Sequence, residues 1–417
     1  MTNRPLHICL DARIIGGMAG GVESMTIGTV SGLSALKDGD ERYFVLVYPD
    51  SVDWIKPYVS NRCQFIYSSK PSYGAKWKKT IRSLPLARRF LPILSRKMRS
   101  TEFGVPKSDG VIEQLDIDVI HFLHQESFLT DIPSIYHPHD LLHVHMPEFF
   151  SQWERVRREK NYRVFCEQSR TVIVASNWIK GDIVRHFELP DDKVNVVAWP
   201  PPIEKYPEPT KDEIDEFRQK FSLPSRFIFY PAQTWPHKNH IGLLEALAIL
   251  RDKYDMHVPL VSSGRISEPF FQKIRMSIER LNLDDQVRFL GFVSEIELMS
   301  LYALCQSVIV PTKFEAMSGP VAEAFWAGKP VACSNVTSLP EQVGDAALLF
   351  DPEKPEEIAN AIYRLWTDDS LCCLLTERGN KKITHFSWEQ VARIFRAHHR
   401  KVAGKALDDE DKALILP

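Results

Sequence analysis

Two glutamates with seven residues between them are the side chains in this sequence best spaced to act on one ligand. Glu315 follows a short apolar run, and Glu323 comes eight positions later. Ser318 and Gly319 before Pro320 predict a turn into a helix, because proline is favoured in the first helical turn. The unpaired N–H groups of such a helix start attract anions. Since carboxylates accept hydrogen bonds from vicinal hydroxyls, the segment predicts a site for a sugar that carries phosphate.

The elements that must position this segment are indicated by short apolar runs along the chain. Several are apolar nearly throughout, which is typical of strands covered on both faces. Helical patterns lie between many of them, as in Leu243, Leu247 and Leu250. This alternation predicts parallel, doubly wound sheets. The predicted strands are Leu6–Leu10, Tyr43–Tyr48, Ile117–Phe122, Ser134–Tyr136, Thr171–Val174, Val194–Val197, Phe227–Tyr230, Val258–Val261, Val287–Leu290, Ser307–Val310, Pro330–Cys333 and Leu348–Phe350.

The chain length and a proline-rich stretch predict two domains. A chain of 417 residues is long for one core. Trp199 is followed by three prolines, which cannot continue a strand or a helix. We therefore expect an N-terminal domain at 1–200, a second domain at 201–385, a further helix at 386–403 and a disordered, acidic tail at 404–417.

The charge, the cysteine spacing and the apolar runs of the sequence exclude several classes of protein. The formal net charge of −2 gives no reason to expect nucleic acid as a partner. The seven cysteines have no zinc-site spacing, so we expect buried, reduced thiols and a cytoplasmic protein. The N-terminus lacks the layout of a signal peptide, and no run of about eighteen apolar residues predicts a membrane span.

The segment from Pro311 to Pro330 resembles the E-x7-E signature of family-four retaining glycosyltransferases of the GT-B fold. That resemblance implies two Rossmann-like domains that face each other across a deep cleft, with the last helix returning to the first domain. It also implies that Glu315 contacts the transferred sugar and that Glu323 contacts the ribose. The backbone around Met317, Ser318 and Gly319 would then contact the sugar and the phosphates.

Two loops of the first half also match this family. Gly20 and Gly21 follow the first predicted strand, where the family has a glycine-rich loop, and glycines let a backbone approach a ligand closely. His139 lies in a segment similar to the family's His-Asp-Leu loop, whose histidine reaches the transferred sugar. A surface or packing role is the alternative for this histidine. A position after a buried strand favours ligand contact.

Loops of the second half carry the expected donor contacts. Lys238 matches the family's diphosphate-binding lysine, but Gln233 stands where an arginine is usual. A neutral amide cannot stabilise leaving-group charge as a guanidinium does. Arg265, after the next predicted strand, is the candidate for the missing cation, with a solvent-facing side chain as the alternative. Phe292 and Val293 match the loop whose backbone receives the nucleobase.

Basic and apolar residues alternate without any acidic residue between residues 75 and 100. This mixture suits the surface of an anionic membrane, so we expect peripheral contact at the inner face of the membrane. A basic loop, or a cleft wall for an anionic acceptor, is the alternative.

The sequence thus predicts a metal-independent transferase without a cofactor. It would move a hexose from a nucleoside-diphosphate sugar to a hydroxyl of a glycan or lipid-linked acceptor, with retention. Asp116 and Asp118 have the spelling of a metal-binding Asp-x-Asp, but they precede a strand at its amino end, away from the ligand edge. A sugar phosphorylase, a nucleotide-sugar epimerase and a non-catalytic nucleotide-sugar-binding module are the alternatives.

Overall fold

The computed structural model describes residues 4–17, 20–60, 62–68, 104–201, 206–384 and 386–416. These residues form two α/β domains, each built on one parallel sheet. The strands of the first sheet are β1 His7–Asp11, β2 Arg42–Val47, β3 Cys63–Tyr67, β4 Val119–Phe122, β5 Ser134–Tyr136, β6 Thr171–Val174 and β7 Val194–Val196. Its helices are α1 Gly21–Ala35, α2 Leu142–His145, α3 Gln152–Gln168 and α4 Asn177–Phe187.

The second domain continues the alternation of strands and helices. Its strands are β8 Ile228–Pro231, β9 Leu260–Ser263, β10 Val287–Phe289, β11 Ser307–Val310, β12 Val331–Ser334 and β13 Ala347–Phe350. Its helices are α5 Lys211–Lys220, α6 His240–Tyr254, α7 Glu268–Arg280, α8 Glu295–Leu304, α9 Gly319–Trp326, α10 Leu339–Val343, α11 Pro355–Thr367 and α12 Asp369–Ile383. Two more helices follow, α13 Trp388–Ala403 and α14 Asp409–Ile415.

The two sheets share one strand order. The first runs β3-β2-β1-β4-β5-β6-β7 and the second β10-β9-β8-β11-β12-β13. In each sheet the order reverses beside the first strand, between β1 and β4 and between β8 and β11. A crevice opens at such a reversal, at the carboxyl ends of the strands. The fold therefore offers one ligand crevice per domain.

The predicted strands are confirmed, and the described residues contain one further strand that was not predicted. All twelve apolar runs fall on strands, and β4, β5, β6, β9, β11 and β12 are buried throughout. The missed strand, Cys63–Tyr67, lies at the edge of the first sheet and is only partly buried. An edge strand is covered less than a central one, so its sequence lacks the continuous apolar run.

Helix α13 returns to the first domain. The last strand of the first sheet ends at Val196 and β8 begins at Ile228, so residue 200 lies between the two sheets. Trp388 of α13 is 1% exposed and lies in the core of the first domain. Its indole occupies the space beside Gly28, where a Cβ atom would collide with the ring. Gly32, one turn later, admits the backbone of α13 in the same way.

Residues 409–415 of the predicted tail form helix α14, so the prediction of a disordered tail is wrong for this segment. Asp408 caps α14 by accepting the N–H of Asp411 at 2.8 Å. The Asp411 carboxylate, which is buried, pairs with Arg400 of α13 at 2.9 Å. Acidic residues at a helix start and opposite an arginine are stabilising, and the sequence alone did not identify their partner.

Membrane contact through residues 75–100 concerns residues that lie outside the described part of the chain. Within the described ranges, no helix combines the length and the apolar character needed to cross a bilayer. The cysteines are unpaired, and six of the seven are buried, with Cys373 exposed.

Candidate functional site

The residue expected at the transferred sugar and the lysine expected at the diphosphate meet at the reversal point of the second sheet. Strands β8 and β11 are neighbours, and the loops after them carry Lys238 and Glu315. The Lys238 Nζ lies 2.7 Å from the Glu315 Oε2, and both side chains are largely covered. Burial raises the pKa of Glu315, and the charge of Lys238 opposes that rise. The crevice thus holds a cation and an acceptor of hydrogen bonds side by side.

Residues 314–319, here called the donor loop, connect β11 to helix α9. Ser318 caps this helix by accepting the N–H of Val321, and Pro320 lies in the first turn. Gln342 fixes the loop from the other side: its Oε1 accepts the Ser318 N–H at 2.9 Å, and its Nε2 donates to the Ser318 carbonyl at 2.8 Å. The helix start and the loop backbone, which includes Met317 and Gly319, therefore have the polarity that suits an anion.

Thr337 and Ser338 hold the backbone of Glu315. The Thr337 hydroxyl accepts the Glu315 N–H at 3.0 Å and donates to the Glu315 carbonyl at 2.6 Å. The Ser338 hydroxyl donates to the same carbonyl at 2.7 Å. These bonds fix the Glu315 backbone in one position. Thr337, Ser338 and Gln342 were not predicted from the sequence, because each lies more than twenty positions from the residue whose backbone it holds.

The second glutamate of the pair is held by a tyrosine. Glu323 of α9 is 9% exposed, and its Oε2 accepts the phenol O–H of Tyr302 at 2.6 Å. Burial raises the pKa of Glu323, and the Tyr302 hydrogen bond opposes that rise. The other carboxylate oxygen stays on the side of the helix start, where a Cβ atom on Gly319 would lie 3.7 Å from it. Tyr302 was not identified from the sequence, since nothing local marks it as a partner of Glu323.

On the first domain, His139 follows β5 in a backbone conformation with a φ of 62°. Its Nε2 donates to the Leu123 carbonyl at 2.9 Å, so the Nδ1 carries the lone pair of the neutral ring. Burial lowers the pKa of His139 to about 4, which keeps the ring neutral at neutral pH. A neutral imidazole of this tautomer can accept a hydrogen bond from a sugar hydroxyl.

Asp140, next to His139, also lies at the site, although it was not predicted from the sequence. Burial raises its pKa, whereas the Leu142 N–H, Arg158 and Lys238 lower it. Its charge also raises the pKa of Glu315. Because these electrostatic effects cross from one domain to the other, the His139 loop and the Lys238–Glu315 pair face each other.

A second pair of loops also meets between the domains. Gly20, with a φ of 53°, lies so close to Gln233 that a Cβ atom would be 3.1 Å from the glutamine Nε2. The glycine leaves room here that a side chain would fill. Gly21 begins helix α1, and a Cβ atom there would meet nothing within 4 Å. The glycine-rich loop and the Gln233 loop thus lie next to each other.

The other residues expected at the donor lie in adjoining loops of the second sheet. The Arg265 carbonyl accepts the N–H of Thr234, which places its loop against that of Gln233, while its side chain is exposed. The Gly264 N–H donates to the Gly291 carbonyl at 2.8 Å, which joins the next loop, where Phe292 is 72% exposed and Val293 partly buried. These loops follow β8, β9 and β10, which are consecutive in the sheet.

The Asp-x-Asp motif of Asp116 and Asp118 lies away from the candidate site. Asp118 precedes β4 at its amino end, as expected, and its carboxylate pairs with Arg4 at 2.7 Å and accepts the His7 N–H at 2.8 Å. Asp116 has a φ of 49° in the turn before it. The pair therefore belongs to the entry of a strand and not to the site.

Two Rossmann-like domains with facing loops define the GT-B fold, and solved structures agree. A structure of HepE from Anabaena in complex with UDP and glucose superposes with a TM-score of 0.68 at 20% identity, over 94% of this chain and 98% of that one. Residues 212–382 match the family model of glycosyl transferases group 1, and residues 67–202 match that of glycosyltransferase family 4. These matches support a GT-B glycosyltransferase of group 1.

Sequence relatives point in the same direction. An O-antigen chain mannosyltransferase B of Escherichia coli is 32% identical over 254 residues, which are 60% of this chain and 66% of that protein. The serotype-specific mannosyltransferase WbdA of Escherichia coli is 24% identical over 310 residues, 69% of this chain and 37% of that protein. The chain thus spans about two thirds of the first relative and little more than a third of the second.

Proposed function

We propose that this chain is a retaining, metal-independent hexosyltransferase of glycan biosynthesis, with mannose as the transferred sugar. The arrangement that carries the proposal is the Lys238–Glu315 pair at the reversal point of the second sheet, beside the start of α9 and opposite His139. Mannose is proposed because the two sequence relatives described above are mannosyltransferases. The acceptor would be a hydroxyl of a glycan or of a lipid-linked glycan, taken up on the cytoplasmic side.

The chemistry assigned to the site follows from its charges. Transfer requires stabilisation of the departing diphosphate, which the start of α9 and Lys238 would supply. Glu315 and the His139 Nδ1 would orient the hydroxyls of the sugar, and Glu323, held by Tyr302, would accept from the ribose. The acceptor hydroxyl would attack from the face of the leaving group and give its proton to the departing phosphate oxygen. That geometry retains the anomeric configuration.

The test is a donor assay with the purified chain. Mannose and glucose esters of guanosine, uridine and adenosine diphosphate are incubated with the protein, and release of nucleoside diphosphate is followed with and without a glycan acceptor. We expect slow hydrolysis of one donor and faster release with the acceptor, with a product anomer equal to that of the donor by NMR. Transfer to inorganic phosphate would indicate a phosphorylase, a changed donor sugar would indicate an epimerase, and binding without turnover a silent module.

Chelation should leave the activity unchanged. The positive charge for the diphosphate is assigned to Lys238 and to the backbone N–H groups at the start of α9, which EDTA does not remove. Initial rates are compared in EDTA and in excess magnesium or manganese. Loss of transfer in EDTA that either metal restores would contradict the metal-independent mechanism.

The variant Arg265→Ala should weaken binding of the nucleoside diphosphate. Arg265 is expected to supply the cation that Gln233 does not, but its side chain is exposed, so solvent screens the interaction. We expect a loss of about three- to tenfold in affinity, near 1 kcal/mol. Isothermal titration with the diphosphate measures it. Gln233→Ala is the matched control and should cost less, and unchanged affinity in Arg265→Ala would leave Lys238 and the start of α9 as the sources of charge.

A further inference from the structure

Helix α10 of the second domain makes hydrogen bonds to helix α4 of the first domain. The Glu341 Oε1 accepts the backbone N–H of Asn177 at 2.9 Å and its side-chain amide at 2.7 Å. The Glu341 Oε2 accepts the N–H of Trp178 at 3.2 Å. These N–H groups open α4 and have no partner within the helix. A carboxylate of one domain therefore caps a helix of the other, where the helix dipole favours a negative charge.

The same short segment fixes the donor loop. Gln342, adjacent to Glu341, makes two hydrogen bonds to the Ser318 backbone. Thr337 and Ser338, immediately before α10, bind the backbone of Glu315. Residues 337–342 thus contact the first domain and the donor loop at once.

The donor loop itself extends into the first domain. Phe314 is 4% exposed and lies in a core cluster otherwise formed by first-domain residues. Its ring centroid is 5.4 Å from that of His145 and 5.9 Å from that of Trp178. The Ser176 hydroxyl, which also caps α4, lies 3.4 Å from the Ala316 carbonyl. Parting of the domains would expose Phe314 and break the bonds at both ends of this contact.

We propose that Glu341 is a positioning residue that couples domain closure to the geometry of the donor loop. With the domains together, its carboxylate anchors α10 on α4, and α10 in turn holds Glu315 and Ser318 opposite the His139 loop. Without that anchor the closed arrangement is populated less. This inference rests on the proposed glycosyl transfer, since it concerns the positioning of the same site.

The test compares Glu341→Ala, Glu341→Gln and the control Tyr58→Phe. The control removes another hydrogen bond between the domains, from the Tyr58 hydroxyl to Glu295 at 3.1 Å, that does not involve α10. For Glu341→Ala we expect kcat to fall about five- to tenfold, the scale of a partly exposed charge-assisted hydrogen bond. Affinity for the nucleoside diphosphate alone should stay within about twofold, because Lys238 and the start of α9 remain in place. Glu341→Gln should recover part of kcat, and Tyr58→Phe should resemble the wild type.

Small-angle X-ray scattering gives a readout that does not depend on turnover. The ligand-free Glu341→Ala protein should have a larger radius of gyration than the wild type, with a melting temperature near that of the wild type because Glu341 is exposed. Wild-type kcat and an unchanged radius of gyration in both Glu341 variants would overturn the inference. A wild-type protein that uses no sugar donor would instead overturn the proposed function, and the scattering comparison would still test the contact.

Discussion

Replacement of Glu315 by alanine should nearly abolish transfer while leaving the protein folded. Glu315 is assigned to the reacting sugar and is paired with Lys238 at 2.7 Å. Loss of a preorganised polar group at the reacting centre lowers kcat by about a hundred- to a thousandfold. The fold should tolerate the change, because burial already disfavours the charge of this carboxylate and its backbone bonds to Thr337 and Ser338 do not need the side chain.

Two further variants make this result specific. Glu315→Gln keeps the shape of the side chain and removes its charge, so we expect an intermediate loss. Glu353→Gln removes the carboxylate of an exposed pair with Lys313 at 2.8 Å and should leave turnover unchanged. Rates are measured with the donor that the wild type uses, and melting temperatures report the fold. Wild-type turnover by a folded Glu315→Ala protein would remove this residue from the site.

The second large effect is a loss of stability in mild acid. Among the histidines that the structure describes, eight are buried and have a lowered pKa, with burial as the first cause in each; they are His121, His137, His139, His143, His237, His240, His398 and His399. Between the folded values, about 3 to 4 for six of them, and the unfolded value near 6.5, the unfolded chain binds more protons. The free energy of unfolding should therefore fall as the pH drops below about 6.5.

The expected loss of unfolding free energy is large compared with the effect of most single charges. A single histidine whose pKa falls from 6.5 to about 4 contributes roughly 3 kcal/mol that is lost by pH 4. Asp140, Glu315 and Glu323 act in the opposite direction, because burial raises their pKa values and protonation then favours the folded state. With eight histidines against three carboxyls, we expect the free energy of unfolding to decrease as the pH falls from about 6.5 to 5.

Urea titrations at several pH values between 8 and 5 measure the slope of the unfolding free energy. His398→Leu is a suitable variant, since the Nδ1 of His398 has no hydrogen-bond partner among the described residues and the side chain is 2% exposed. This variant should reduce the slope by up to about 1.4 kcal/mol per pH unit. A slope equal to that of the wild type would contradict the assignment of His398 to the acid response.

The features predicted correctly from the sequence are those marked by residues that are close together in the chain. Buried central strands such as β4 and β11 were predicted because every position faces apolar neighbours, whereas the edge strand β3 and the capped helix α14 lack such a run. The spacing of Glu315 and Glu323 is local and was recognised.

The partners of these residues were not predicted, because they depend on how elements pack. Tyr302 reaches Glu323 from α8, and Asp140 faces Lys238 from the other domain. Gln342 reaches the donor loop from α10, which follows the next strand. No spacing in the sequence predicts contacts between residues of different elements. These contacts were therefore identified only from the structure.

Helix α13 has a consequence for the order in which the chain acquires its structure. Trp388 and Phe395 belong to the core of the first domain, although almost two hundred residues of the other domain separate them from its last strand. On the ribosome, the first sheet is therefore complete long before the side chains that close its core have been synthesised. Until residues 388–403 emerge, the groove beside Gly28 and Gly32 stays open to water and to chaperones. The second domain, whose core needs no later segment, can fold first even though it is made second.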